Sequence, residues 1–167
     1  ASAPASDSRS ATRPAPSDVA DVPVLDLNAG GNEKMRYFLI GPRPDERVSA
    51  AGYKLVVVLP GGNGGVDFHP FVCRLFKFGI PAGYIVAQPV AFAWVPDQQI
   101  VWPTRMNKVP GQQFATEDFV EAVIKDVRSK HKLDDRHIYT LSWSSGGPAA
   151  YAVSLAENSP VTGSFVA

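Results

Sequence analysis

The chain is too poor in cysteine to form an internal disulfide, because Cys73 stands alone among 167 residues. A metal cluster is not implied either: one thiol and three scattered histidines, His69, His131 and His137, show no ligand spacing. Nor is there a surplus of charge. Sixteen Lys and Arg balance sixteen Asp and Glu, and no stretch gathers one sign. The basic face that a nucleic-acid partner or an anionic membrane needs is therefore missing. No apolar run approaches the roughly 20 residues that cross a bilayer. Neither G-x-G-x-x-G nor a glycine-rich loop ending in Gly-Lys-Ser/Thr occurs, so the common nucleotide fingerprints are absent. No metal or organic cofactor is expected.

Large apolar side chains are also absent at the start. Residues 1–18, "ASAPASDSRSATRPAPSD", are Ala, Ser and Pro with Thr12 and a few charges. Such a stretch cannot bury enough surface to offset its ordering entropy. It reads as a disordered or linker segment over residues 1–20, ahead of one domain over 21–167. A small-residue start without Met points to a removed signal peptide and an exported, secreted or periplasmic, protein. A trimmed chain is the alternative.

Beyond residue 20, strand-like and helix-like patterns alternate. "VPVLDL" (22–27) and "MRYFLI" (35–40), separated by Asn28, Ala29, Gly30, Gly31 and Asn32, predict a β-hairpin. "KLVVVLP" carries five consecutive aliphatics, Leu55 to Leu59. An unbroken run of this kind fits a strand covered on both faces, as in a parallel sheet. After "PGGNGG" (60–65), Phe68, Phe71, Val72, Leu75 and Phe76 recur at helical spacing, with Asp67 as expected N-cap and Pro70 in the first turn. Cys73 lies among these apolar residues and reads as a buried structural thiol. "GYIVAQPV" (83–90) predicts a strand, and 91–115 a long loop carrying Trp94 and Trp102. Phe119, Val120, Val123, Ile124 and Val127 then predict a helix capped by Thr116. "HIYTL" (137–141) predicts a strand, 147–157 a helix and "GSFVA" (163–167) the start of another strand. The alternation predicts a mostly parallel sheet with helices on both faces.

Between the strand at 137–141 and the helix at 147 stands Ser142-Trp143-Ser144-Ser145-Gly146-Gly147. G-x-S-x-G in this context is a nucleophile elbow, whose central serine is held at the tip of a sheet by a turn too tight for large neighbours. Register makes Ser144 the nucleophile, with Ser142 as a small replacement for the first glycine. An acyl-transfer serine needs an oxyanion hole. One donor is the amide of Ser145, and Gly62 and Asn63 of the "LPGGNGG" loop are the candidates for the other. An ordinary tight turn and a phosphate-binding loop are the alternatives for these two segments.

With both segments placed, the chain resembles the α/β-hydrolase superfamily over about residues 35–167. It looks similar to the esterases near the phospholipase/carboxylesterase, feruloyl and acetylxylan esterase and polyhydroxybutyrate depolymerase groups. Pro60 stands where many relatives have histidine. The resemblance implies a serine carboxylesterase working through an acyl-enzyme on Ser144. It also implies a triad in the chain order Ser, Asp or Glu, His. After Ser144 this chain has no Asp and no His, and its one acid, Glu157, falls inside the elbow helix. The acid and base are therefore expected beyond residue 167, with the last strands of the fold, on the same polypeptide or on a complementary carboxyl-terminal fragment. His131 and His137 flank a polar turn and are expected at the surface, and His69 in a surface or capping role. Trp94, Trp102 and Trp143 are candidates to wall a substrate pocket, or to cover the core edge. The expected substrate is a small-molecule or polysaccharide-linked ester. A serine peptidase of the same fold and a non-catalytic, carbohydrate-binding domain are the rival readings.

Overall fold

A computed structural model describes residues 17–167. Most of the expected linker lies outside the described residues. Its end does not: Ser17–Val19 form a 3-10 turn, Val19 is buried, and Asp18 pairs with Arg74 at 2.7 Å.

Six strands form one sheet in the order β1-β2-β4-β3-β5-β6. They are β1 (Val24–Asn28), β2 (Arg36–Ile40), β3 (Tyr53–Leu59), β4 (Tyr84–Pro89), β5 (Leu133–Ser142) and β6 (Gly163–Val166). β2 runs antiparallel to both β1 and β4, and every other neighbouring pair is parallel. The helices are α1 (His69–Arg74), α2 (Thr116–Lys130) and α3 (Gly147–Ser154).

The aliphatic run explains the layering. Along β3, Leu55, Val57 and Leu59 face one way, into a core with Phe119, Val120, Val123, Ile124 and Val127 of α2 and Ala149, Ala150 and Val153 of α3. Val56 and Val58 face the other way, into a core with Val72 and Cys73 of α1 and Phe76. Side chains alternate across a strand, so a strand covered on both faces must be apolar at every position. The expected sheet with helices on both faces is thus present, and Cys73 is buried.

Details at element ends differ from expectation. The β1–β2 connection is not a tight turn but two 3-10 turns, Ala29–Gly31 and Glu33–Met35, the first burying Ala29. Asp67 does not cap α1; it is exposed inside a 3-10 turn, Val66–Phe68, and Phe68 takes the cap position without a side-chain bond. A wide π-type turn, Leu75–Gly79, extends α1. Thr116 is not the N-cap of α2, because its hydroxyl donates to Pro103 O at 2.7 Å. Ala115 is the cap, and its N–H donates to the Asp118 carboxylate at 2.9 Å. β5 begins four residues earlier than the predicted strand and bulges at once. Tyr53 of β3 pairs with Leu133, but Leu55 pairs with Ile138.

Candidate active site

Ser142 closes β5, buried, opposite Leu59 on one side and Val166 on the other. Its hydroxyl has no partner among the described residues. Trp143 is extended (φ −146°, ψ 153°), and at Ser144 the backbone swings to φ 52°. A non-glycine residue in this left-handed region costs about 1–3 kcal/mol unless its surroundings impose it. The strain leaves Ser144 exposed at the carboxyl end of a central strand. A 3-10 turn, Ser144–Gly146, leads into α3 with Pro148 in its first turn.

Two glycines show how tightly the bend is built. A Cβ on Gly146 would lie 2.2 Å from Leu59 O and 3.1 Å from Leu59 C. Gly146 itself has ordinary helical dihedrals (φ −77°, ψ −23°), so glycine is needed for space and not for conformation. A Cβ on Gly61 would lie 2.7 Å from both Trp143 O and Trp143 Cδ1, and 3.0 Å from Ser144 Cβ. The loop after β3 therefore lies directly against Ser144.

That loop carries the other expected donors. Gly62 has φ +58° and Gly64 φ +63°, and Gly62 and Asn63 are exposed. Among the described residues, the N–H groups of Gly61, Gly62 and Asn63 donate no hydrogen bond. Consecutive unpaired N–H groups around a left-handed residue form a concavity suited to an anion. The loop's carbonyls, in contrast, are engaged. Trp102 Nε1 donates to Pro60 O at 2.8 Å, Gly64 N to Gly61 O at 3.0 Å, and Ala91 N to Gly64 O at 3.0 Å. Ser145 Oγ donates to Gly62 O at 2.9 Å. The Asn63 side chain accepts from Gly65 N at 2.9 Å.

The structure thus brings Ser144, Ser145, Gly62 and Asn63 together. Of the three tryptophans, only Trp143 adjoins them. Its ring meets the edges of Phe68 and Phe71 at centroid distances of 5.8 and 5.5 Å. Phe68 also touches the loop, since a Cβ on Gly62 would lie 2.9 Å from its ring. Helical spacing predicts Phe71 on the buried face of its helix, yet it is 46% exposed. Trp102 is buried and braces Pro60. Trp94 is half-buried, packed edge-on against Phe92 and Phe114, with Lys34 Nζ 5.3 Å from its ring. The cavity that Trp94 and Trp102 share, about 10 Å³, has room for one water at most. Both rings pack at the core edge.

The histidines are engaged elsewhere. His69 is not a surface or capping residue. Its ring stacks on Phe38 (4.0 Å), Nδ1 lies 2.9 Å from Gln88 Oε1 and Nε2 3.5 Å from Cys73 Sγ. Burial lowers its pKa below the ordinary histidine value, against a smaller opposing effect of the Gln88 contact. His131 sits edge-on to Tyr53, and His137 Nδ1 is 2.9 Å from the Asp134 carboxylate. Among the described residues, no hydrogen bond joins any histidine to Ser144.

A mostly parallel sheet in this order, with a strained serine after β5 and a glycine-rich loop after β3, is the α/β-hydrolase fold. No family model matches the chain, and no curated protein matches it by sequence. Solved structures do. A bacterial heroin esterase matches with a TM-score of 0.58 at 16% identity, covering 89% of this chain and 44% of its own. The carboxylesterase EstE1, cloned from a metagenomic library, matches with a TM-score of 0.55 at 18% identity, covering 88% and 46%. LpqC, a poly(3-hydroxybutyrate) depolymerase from Bordetella parapertussis, matches with a TM-score of 0.55 at 17% identity, covering 86% and 50%. The chain spans half or less of the length of these structures.

Proposed function

We propose that this chain carries the nucleophile and oxyanion hole of a serine esterase that cleaves carboxylic esters through an acyl-enzyme. One observation carries the reading: an exposed serine at φ 52° on the end of β5 lies against the loop after β3, whose Gly61, Gly62 and Asn63 N–H groups donate no hydrogen bond among the described residues. The Ser144 hydroxyl attacks the ester carbonyl and loses its proton to a base. The carbonyl oxygen becomes an oxyanion, stabilised by the Ser145 amide and by N–H groups at Gly62 and Asn63. Collapse expels the alcohol, which takes up the proton, and water then hydrolyses the acyl group by the same path. The base and its carboxylate partner come from residues outside 17–167, because the described histidines are held by Phe38, Gln88, Tyr53 and Asp134. They lie on the same polypeptide or on a complementary fragment.

The esterase names of the structural neighbours support ester over amide substrates. The aromatic cluster beside Ser144, with Phe71 exposed and Phe68 and Trp143 half-buried, supports an apolar acyl or aryl group on the substrate, free or attached to a polysaccharide.

The test uses the intact protein. A fluorophosphonate labels Ser144, p-nitrophenyl acetate gives a burst of p-nitrophenol, and Ser144→Ala abolishes both. Release from the matching amide at a comparable rate would replace the esterase with a peptidase. Absence of labelling would leave a non-catalytic binding domain.

A further inference from the structure

We propose that the Ser145 hydroxyl is a positioning group that holds the oxyanion loop in register with the nucleophile, an inference that rests on the serine-esterase reading above. Ser145 Oγ donates to Gly62 O at 2.9 Å, across 83 residues of chain. A peptide unit is planar, so the Gly62 C=O and the Cα atoms on either side of it move as one rigid plate. Holding the oxygen fixes that plate, and Gly62 with it, against the elbow. The backbone amide of Ser145 is itself the elbow's donor. One residue therefore supplies a donor from the elbow and, through its side chain, anchors the loop whose Gly62 N–H is the candidate for another.

The loop needs such a hold. Gly62 has no side chain to pack, lies at φ +58° and is exposed, as is Asn63. On either side the loop is anchored: Pro60 O by Trp102, Gly61 O by Gly64 N, and Gly64 O by Ala91 N. The Asn63 side chain bonds only within the loop, to Gly65 N. Among the described residues, the Ser145 hydroxyl is the one hydrogen-bond donor that ties the 62–63 peptide to the nucleophile's side of the site. Oxyanion donors are effective because they are already oriented before charge develops, and a donor free to swing loses part of that effect.

The experiment compares wild type, Ser145→Ala, Ser145→Thr and Ser144→Ala in the intact protein. Ser145→Ala lowers kcat by about tenfold to a hundredfold, at or below the 10²–10³ that deleting a donor costs. KM stays within about twofold, because the ground-state ester places no full charge on the hole. A trifluoromethyl ketone, which forms a tetrahedral oxyanion on the serine, binds Ser145→Ala more weakly by a similar factor. Ser145→Thr, which keeps the hydroxyl, restores kcat. Unfolding midpoints agree, since the bond is exposed. An unchanged kcat in Ser145→Ala overturns the proposal, and so does an equal loss in Ser145→Thr. If wild type takes no fluorophosphonate at Ser144, or Ser144→Ala keeps its activity, the esterase reading itself falls and this inference with it.

Discussion

Replacing Gly146 by alanine tests the packing of the elbow directly. The added Cβ would stand 2.2 Å from Leu59 O, 3.1 Å from Leu59 C and 3.3 Å from Pro60 O. An ordinary carbon–oxygen contact is about 3.3 Å or more, so strand and helix must part by about 1 Å. Neither is free to do so. β3 is bonded to β4 on one side and to β5 on the other. α3 is held by the buried Ala149, Ala150 and Val153. Overpacking a core costs about 1–3 kcal/mol, and the obstacle here is backbone, which places the cost at about 3 kcal/mol. For a domain of this size each kcal/mol moves the melting temperature by about 2–4 °C, so the expected fall is about 6–12 °C. Gly79→Ala is the control. Nothing lies within 4 Å of a Cβ there and its φ is ordinary, so the same substitution is neutral or stabilises by about 0.4–1 kcal/mol. Thermal and urea unfolding of both variants decide the matter. A Gly146→Ala protein that melts within about 1 °C of wild type would refute the close approach of α3 to β3, and the elbow with it.

Relief of the strain at φ 52° should make Ser144→Gly more stable by about 1 kcal/mol in urea while it abolishes ester hydrolysis; an unchanged midpoint would deny the strain. Trp102→Phe leaves the buried Pro60 carbonyl without its donor and should cost about 1–3 kcal/mol in denaturant unfolding, with a fall in kcat as the loop loosens. His69 gives a pH signature. Its folded pKa lies below the ordinary value of about 6.5, so as pH drops through 6.5 the unfolded chain takes up a proton that the folded protein refuses, and stability falls. Urea unfolding at about pH 7.5 and pH 5.5, either side of that value, should show a smaller loss for His69→Gln than for wild type. Equal losses would remove His69 as a contributor.

The parts of this fold that are legible in the sequence are those where one physical demand fixes every residue. β3 has to be apolar throughout because both its faces are covered, and the elbow has to be small because Gly146 lies against Leu59. What escapes has mixed demands. The start of β5 holds Asp134, Asp135 and Arg136, where a bulge lets Asp134 bond both Arg136 and His137, so no alternation announces a strand. Phe71 sits in good helical register, but α1 is flanked by a 3-10 turn and a π-type turn, whose periods differ from 3.6 and shift the buried stripe. Trp102 lies in an irregular loop where no period says which way a ring points. Its place is set by a carbonyl 42 residues upstream. The clasp from Ser145 to Gly62 is invisible for the same reason, since it joins two segments that meet only when the sheet is assembled.

That meeting has a kinetic corollary. Ser144 and the glycine-rich loop sit at the ends of β5 and β3, neighbours in space separated by the whole of α1, β4 and α2 in sequence. Pairing so distant is slow in building a parallel sheet. On the proposed function, the appearance of a labelled Ser144 after dilution from denaturant is therefore a stopwatch for the pairing of β3 with β5, readable at a single side chain.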